Sequence, residues 1–382
     1  MAQAGSHVAV VGAGVFGCWT ARKLRDAGCR VTLIDFDEPG HVAAGSGGES
    51  RITRSMYGAE TLYMEWARRS VSEWRELSER ADVPLFHETG VLWMYREGDP
   101  FAEASAATLE AAGISVERLG PGELRARYPI LEIGSDDRAL LEPEAGALRA
   151  GAAIRRLVGE LEADGVERVR GRVVPIRAGD AEEGALNAVE LTDGRRIQAD
   201  VFVVACGAWL DRVCPDAMAG RLFVTRQEVV FFGVDAGRIG GLPIWADMPF
   251  YGFPPLAGRG FKVAHDEHGP RIEDVDAVDR RVGPDAVATA REFLHRRFPE
   301  LADAPVVDSR VCQYANSSSG DLLADRHPGL ENVWLVGCGS GHGFKQGPAV
   351  GAHAAGLVLG RETPIEAFGL ASKRTSQARA IQ

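Results

Sequence analysis

The amino-terminal stretch from His7 to Asp35 restricts the fold more than any other part of the chain. His7–Val11 is a short apolar strand that runs into the turn Gly12-Ala13-Gly14-Val15-Phe16-Gly17. A helix continues through Arg22 with Ala21, Leu24 and Ala27 on one face, Gly28 stops it, and Arg30–Asp35 forms a second strand. Such a βαβ unit binds dinucleotides for a physical reason. Gly12 permits the tight turn, Gly14 lets backbone approach a pyrophosphate, and Gly17 lets the helix pack closely on the strand. The helix amino terminus then offers unpaired N–H groups and the positive end of its dipole to the phosphates. Asp35 lies about 20 residues beyond Gly14, where a carboxylate can accept from ribose hydroxyls. That acid would repel the extra phosphate of NADP. The unit itself leaves NAD and FAD both open.

Further along, Thr61–Arg80 carries Tyr63, Trp66, Ala67, Val71, Trp74 and Leu77 at helical spacing, an aromatic stripe that predicts a core-facing helix without a catalytic role. The patterning predicts strands at Val91–Tyr95, Val166–Ile176, Ala188–Leu191, Asp200–Cys206, Val229–Phe232, Phe261–Ala264 and Asn332–Val336. Helices are expected at Ala147–Ala163, Ala286–Phe298 and Pro348–Leu359. Asp200–Cys206 is almost wholly apolar, as suits the buried middle of a parallel sheet.

With 382 residues, the chain is long enough for two domains or one large domain with an inserted lobe. A net charge of -11 argues against a nucleic-acid partner, which needs a broad basic face. No apolar run approaches the roughly 20 residues that span a bilayer, so no membrane partner is expected. Met1–His7 lacks a secretory pattern, and Ala380-Ile381-Gln382 is not a peroxisomal tripeptide. Six cysteines are scattered without metal-ligand spacing. No metal site and no disulfide scaffold is expected, and the default compartment is cytoplasmic.

Four more motifs follow the glycine turn in order. They are Gly45–Tyr57, containing Ser50-Arg51-Ile52-Thr53-Arg54; Val203-Val204-Ala205-Cys206-Gly207-Ala208-Trp209; Tyr251-Gly252-Phe253-Pro254 with Gly260-Phe261-Lys262; and Val311-Cys312-Gln313-Tyr314 followed by Ser340-Gly341-His342-Gly343-Phe344-Lys345. Together they resemble the sarcosine oxidase branch of the D-amino-acid-oxidase-like flavoproteins along nearly the whole chain. The resemblance implies an α/β fold with an α+β second lobe. A Rossmann-type FAD domain of the hydroxybenzoate-hydroxylase and D-amino-acid-oxidase kind would be interwoven with a mixed-sheet substrate domain. Residues 1–88, 142–226 and 305–382 would form the FAD domain, and residues 89–141 and 227–304 the substrate domain.

The resemblance also implies residue roles. FAD would be lined by Gly12, Gly14, Gly17, Asp35, Phe36, Ser46, Arg51, Val173, Cys206, Gly207, Trp209, Gly341, Gly343, Phe344 and Lys345. Cys312, which on its own reads as an inert buried thiol, would by this resemblance form a thioether to the flavin. Lys262 reads alone as a strand-end surface lysine; the resemblance puts it beside the flavin, promoting reaction with O₂. Arg54 and Lys345 would clamp a substrate carboxylate, Arg51 would lie near the flavin ring, and Tyr251 over the substrate. His342 reads as a structural or a catalytic histidine. Gly341 and Gly343, ahead of the helix at Pro348, would present backbone donors to the flavin.

Three segments depart from the family pattern. Gly45-Ser46-Gly47-Gly48-Glu49 lacks two histidines, a substrate-side Tyr-His pair aligns with His265 and Asp266, and Asn316–Asp321 replaces another conserved-type string. His265 is taken as the catalytic candidate of that pair. The expected activity is FAD-dependent oxidation of a small secondary, cyclic or N-methylated amino acid to the imine, with O₂ reduced to H₂O₂, by a monomer or small homo-oligomer. The rivals are a dehydrogenase using another acceptor, a tailoring oxidase acting on a larger heteroaromatic amine, and a non-catalytic flavin subunit.

Overall fold

The computed structural model describes residues 2–373, so the carboxyl-terminal tripeptide lies outside the described residues. Its organising element is the strand His7–Val11, which pairs in parallel with Arg30–Asp35 on one side and Val201–Val204 on the other. Glu167–Arg170 extends the sheet beyond Arg30–Asp35. Val333–Gly337 and then Leu323–Arg326 extend it beyond Val201–Val204, the last pair antiparallel. Successive side chains point to opposite faces of a strand. Val8 and Val10 therefore join Trp19, Leu24, Val350 and Ala354 in the core on one face, while Ala9 and Val11 join Phe202, Val204 and Trp209 on the other. Burial on both faces is why Val201–Val204 reads as an unbroken apolar run.

The turn after the first strand is as tight as the glycines suggest. A Cβ at Gly12 would lie 2.4 Å from the Ala205 carbonyl oxygen, and one at Gly17 would lie 1.8 Å from the Gly12 carbonyl oxygen. Neither clash can be relieved by a side-chain rotation, because both neighbours are backbone. Gly17→Ala is therefore expected to destabilise the protein by about 1–3 kcal/mol, the usual scale for overpacking a filled site. Thermal unfolding measures this, and an unchanged midpoint would contradict the close packing.

A second, eight-stranded sheet runs in the order 306–317, 222–232, 261–265, 250–253, 244–247, 91–96, 137–142 and 117–119. Only the contact between Ile244–Asp247 and Val91–Arg96 is parallel. Leu222–Phe232 and Val306–Ser317 pair along their whole length, with a register shift between Phe231 and Phe232. A small three-stranded sheet of Arg51–Thr53, Gly146–Leu148 and Phe86–His87 fixes the segment that carries Arg51 and Arg54.

The aromatic stripe is core-facing as expected: on the helix Thr61–Glu79, Tyr63, Trp66, Ala67, Trp74 and Leu77 are buried and Val71 is half-buried. Two expectations differ. The helix expected from Ala147 begins at Ala150, because Ala147 and Leu148 pair with Ile52 and Arg51; here tertiary pairing overrides helix propensity. The strand expected over Val166–Ile176 is confined to Glu167–Arg170. Gly171 ends the ladder by donating to the Asp35 carbonyl, and Val173 makes only an isolated bridge to Leu191. All six cysteines are free. Among the described residues no helix is long and apolar enough to cross a membrane, and no group of three or more candidate metal ligands is clustered.

Candidate active site

The carboxyl ends of the parallel strands open into a cavity of ≈ 440 Å³. It is lined by Gly12, Gly14, Asp35, Phe36, Ser46, Arg51, Val173, Cys206, Gly207, Trp209, Gly341, Gly343 and Phe344, all expected from the sequence. Its location is where open α/β sheets bind ligands. Gly14 caps the helix Val15–Asp26, and the Ser46 hydroxyl accepts from the Val15 N–H at 3.0 Å. Asp35 accepts from the Ala13 N–H at 2.6 Å and so braces the glycine turn while still facing the cavity. Burial, the largest influence, pushes its carboxyl above the ordinary range despite those hydrogen bonds.

One wall is an ion-pair network that sequence reasoning missed. Trp209 Nε1 donates to Asp276 at 2.8 Å, and Asp276 also pairs with Arg172 and Arg212, each at 3.1 Å. The Arg172 guanidinium lies 4.3 Å from the Phe36 ring centroid. Arg172 and Asp276 sit in loops without periodicity and Arg212 in a single helical turn, so no local signal marked them.

A smaller cavity of ≈ 70 Å³ adjoins the first, and the two share Arg51, Tyr314, Gly341 and Phe344. Arg54, Trp93, Tyr251, Asp266, His342 and Lys345 also line it. Arg54 and Lys345 are buried, at 7% and 5% exposure, and among the described residues neither forms an ion pair. Arg54 donates to the Met56 carbonyl and lies between the rings of Tyr57 and Trp93, at 4.8 and 4.9 Å. Lys345 donates to the His342 carbonyl at 3.0 Å and lies 5.0 Å from the Tyr57 ring centroid. Burial, with Arg54 second, drives its pKa well below that of an ordinary lysine. Trp74 holds the Lys345 backbone by donating from Nε1 to its carbonyl at 2.9 Å. Asp266 and Glu142 act on the two cationic side chains through their charges without a direct ion pair, so burying both is costly unless an anion joins them.

Lys262 lies at the edge of a third cavity of ≈ 280 Å³, which does not share it with the Arg54–Lys345 cavity. It is 4% exposed, donates to Ser50 Oγ at 3.3 Å and lies 4.5 Å from the Phe253 ring centroid. Burial, followed by the Arg51 charge, brings its pKa down to about 7. Cys312 occupies a small apolar cluster with Val229, Phe231, Ala264 and Tyr251, within electrostatic reach of Arg51 and Lys262. It shares a strand face with Tyr314, two residues on.

The structure places several of the expected residues differently, and for His342 it favours one of the two readings left open. His265 is turned away from the small cavity; its side chain is 38% exposed, stacks on Phe250 and approaches Glu267 at 3.8 Å. Asp266 lines the cavity in its place. The expected donor at Gly343 is already used, since its N–H donates to the Gly339 carbonyl at 2.7 Å; Gly341 has no acceptor among the described residues. His342 is held structurally, with Nδ1 3.2 Å from the Tyr57 hydroxyl and Nε2 3.0 Å from the Gly320 carbonyl. Gly17, Cys312 and Lys345 do not line the larger cavity; Lys345 lines the smaller one.

The larger cavity fits a flavin dinucleotide. It is elongated from the glycine turn to Arg51 and Tyr314, apolar in most of its wall, and approached by the backbone of a helix amino terminus. Comparison with known proteins agrees. The family profile described as "FAD dependent oxidoreductase" matches residues 7–357. Monomeric sarcosine oxidase from Bacillus sp. (strain NS-129) is 30% identical over 370 residues, covering 93% of both chains. N-methyl-L-tryptophan oxidase from Yersinia pestis (strain Pestoides F) is 27% identical over 376 residues, covering 96% of this chain and 98% of that protein. Among solved structures, fructosyl peptide oxidase from E. terrenum superposes with a TM-score of 0.82 at 21% identity, covering 97% of this chain and 93% of the other. At that identity it shows the shared fold.

Proposed function

Because the chain belongs to the FAD dependent oxidoreductase family, we propose that it oxidises a small secondary, cyclic or N-methylated amino acid to its imine and passes the electrons to O₂. It is an FAD-dependent oxidoreductase acting on a C–N bond; the substrate class and acceptor are the proposal. The observation that carries it is the pair Arg54 and Lys345, buried without an ion partner among the described residues, in a cavity that meets the dinucleotide cavity at Arg51 and Tyr314.

FAD, when bound, supplies a two-electron acceptor and, once reduced, an electron donor to O₂. The chain's own groups do the rest. The Arg54 guanidinium takes the substrate carboxylate, and Lys345 adds a second charge. Both side chains are buried, so these interactions are screened less than they would be at the surface. Tyr251, Trp93 and Phe344 bound the ≈ 70 Å³ of space beside the two cations. That space favours a small amino acid over a large heteroaromatic one. Arg51, anchored to the Ser50 and Gly45 carbonyls at 2.7 Å, holds a fixed positive charge where the two cavities meet. Lys262 supplies a cation for the negative charge that develops as O₂ is reduced. Its placement on a separate cavity lets O₂ approach while the substrate side is filled.

A panel of small secondary amino acids, assayed in parallel for peroxide and for dye reduction, tests the reading. Peroxide formation with at least one of them is expected. Dye reduction without peroxide would move the protein to the dehydrogenases, and inertness towards the whole panel would reject the substrate class.

The neighbourhood of Cys312 supports a thioether to the cofactor: the side chain is next to Tyr251 and near both Arg51 and Lys262, and Gln313 and Tyr314, which follow it, line the larger cavity. After acid denaturation, the flavin absorbance is expected to stay with the precipitated wild-type protein and to be released from Cys312→Ala. Release from the wild type would leave Cys312 an inert thiol.

A further inference from the structure

Among the described residues Asp266 is the one carboxylate in the wall of the small cavity, and nothing in the reading above uses it. It follows the strand Phe261–His265, and its N–H donates to the Pro249 carbonyl at 2.8 Å, which fixes its backbone. Strand alternation puts Lys262, Ala264 and Asp266 on one face and His265 on the other. Four elements aim polar groups at it. Tyr314, on Val306–Ser317, donates to Oδ1 at 3.3 Å, and the Tyr251 hydroxyl, on Phe250–Phe253, is 3.3 Å from that of Tyr314. Arg54, after the strand Arg51–Thr53, and Lys345, in the turn Phe344–Gln346, act on it through their charges. His265 and Glu267 flank it in sequence but pair with each other outside the cavity. Asp266 and the two cations therefore form an electric dipole across one small space. An amino acid in its ordinary form, carboxylate at one end and ammonium next to it, is a dipole that complements it.

We propose that Asp266 recognises the substrate's ammonium group and takes its proton. Resting on the amine-oxidase reading, this adds the polar partner for the nitrogen end of the substrate. The N–H of the ammonium forms a charge-assisted hydrogen bond to the Asp266 carboxylate. The proton then moves from the substrate nitrogen to an Asp266 oxygen, leaving a neutral amine with a lone pair and a neutral carboxylic acid, so charge balances. A neutral amine is the form from which the carbon beside nitrogen can lose electrons. Burial, opposed by Arg54 and by the Tyr314 hydroxyl, brings the Asp266 carboxyl up to about 7, so it changes state near neutral pH. The sign is then fixed. Above that value the group is a carboxylate that attracts and deprotonates the ammonium, and below it the group is neutral and does neither.

An isosteric pair of ligands isolates this role. N-methylglycine and butanoate have the same shape and carboxylate, but only the first carries nitrogen. Their dissociation constants for the FAD-loaded protein are read under anaerobic conditions from the flavin absorbance change or, where reduction follows, from saturation of its rate. With Asp266 ionised, the wild type is expected to prefer N-methylglycine by about tenfold or more, the usual worth of a hydrogen bond between charged groups. The preference is expected to vanish as pH falls through the Asp266 titration and to be absent at every pH in Asp266→Asn. Butanoate should bind Asp266→Asn at least as well as wild type, which shows the pocket intact, and Asp266→Glu should restore part of the preference. A preference that persists in Asp266→Asn, or that does not change with pH, would overturn the proposal while leaving the amine-oxidase reading in place. Failure of both ligands to bind the wild type would reject the Arg54–Lys345 clamp and the Asp266 assignment with it.

Discussion

In Lys262→Met, reaction of the reduced enzyme with O₂ is expected to slow by about 10²–10³-fold, the scale on which loss of one preorganised charge or donor is felt in a buried site. Anaerobic reduction by substrate should be close to wild type, because Lys262 lies outside the wall of the substrate cavity. Methionine keeps the length and apolar stem that pack against Phe253, so the change removes charge more than volume. Stopped-flow measurement of the two half-reactions separates the effects. Equal loss in both would show that Lys262 supports the fold of the site and not the oxygen step. The wild-type oxygen rate should also depend on pH. With its pKa brought down to about 7, Lys262 carries less charge as pH rises through that value, so the rate is expected to fall in that direction.

The second large effect is expected in Arg54→Met. Truncating one partner of a buried charge pair typically costs about 2–5 kcal/mol, so the dissociation constant of a carboxylate substrate should rise by roughly two orders of magnitude or more. Lys345 remains, but as a point charge without the planar fork that takes a carboxylate by two hydrogen bonds. The rate of reduction at saturation should fall less than the affinity, because Arg54 acts on a group that does not change charge in the reaction. Anaerobic titration gives both numbers. An unaltered dissociation constant would mean that the two cations hold something other than the substrate carboxylate.

Much of this site is legible in the sequence, and what is missed has a specific cause. The glycine turn and its acid are a contiguous pattern, and the cavity wall at Gly12, Gly14 and Asp35 follows from it. Arg54, Tyr251 and Lys345 are far apart in sequence and came from motif resemblance, yet they line one cavity. The error at His265 was one of parity. Once Lys262 is placed on a strand, period two assigns Asp266 to its face and His265 to the opposite one, and the histidine was chosen for its chemistry instead. Gly343 was misjudged because a glycine ahead of a helix does not reveal whether its N–H is already used; the turn of Gly339 closes on it. Ala147 and Leu148 were misread because nothing local shows that Arg51 and Ile52 will pair with them. The Trp209–Asp276–Arg172 network joins loops far apart in the chain, and contacts of that kind leave no periodic trace.

The interleaving of the parallel sheet has a consequence for how the protein is made. Val8 cannot find Val201, nor Phe202 find Val333, until the intervening chain has left the ribosome. At about 5–20 residues per second, the opening strand and its glycine turn wait tens of seconds for their neighbours during synthesis. Through that interval Val8–Val11 has Arg30–Asp35 to pair with on one side, while its other edge stays open. The cofactor cradle is likewise incomplete until Gly341–Phe344 is translated, so flavin loading follows the synthesis of that segment and cannot accompany that of the glycine turn.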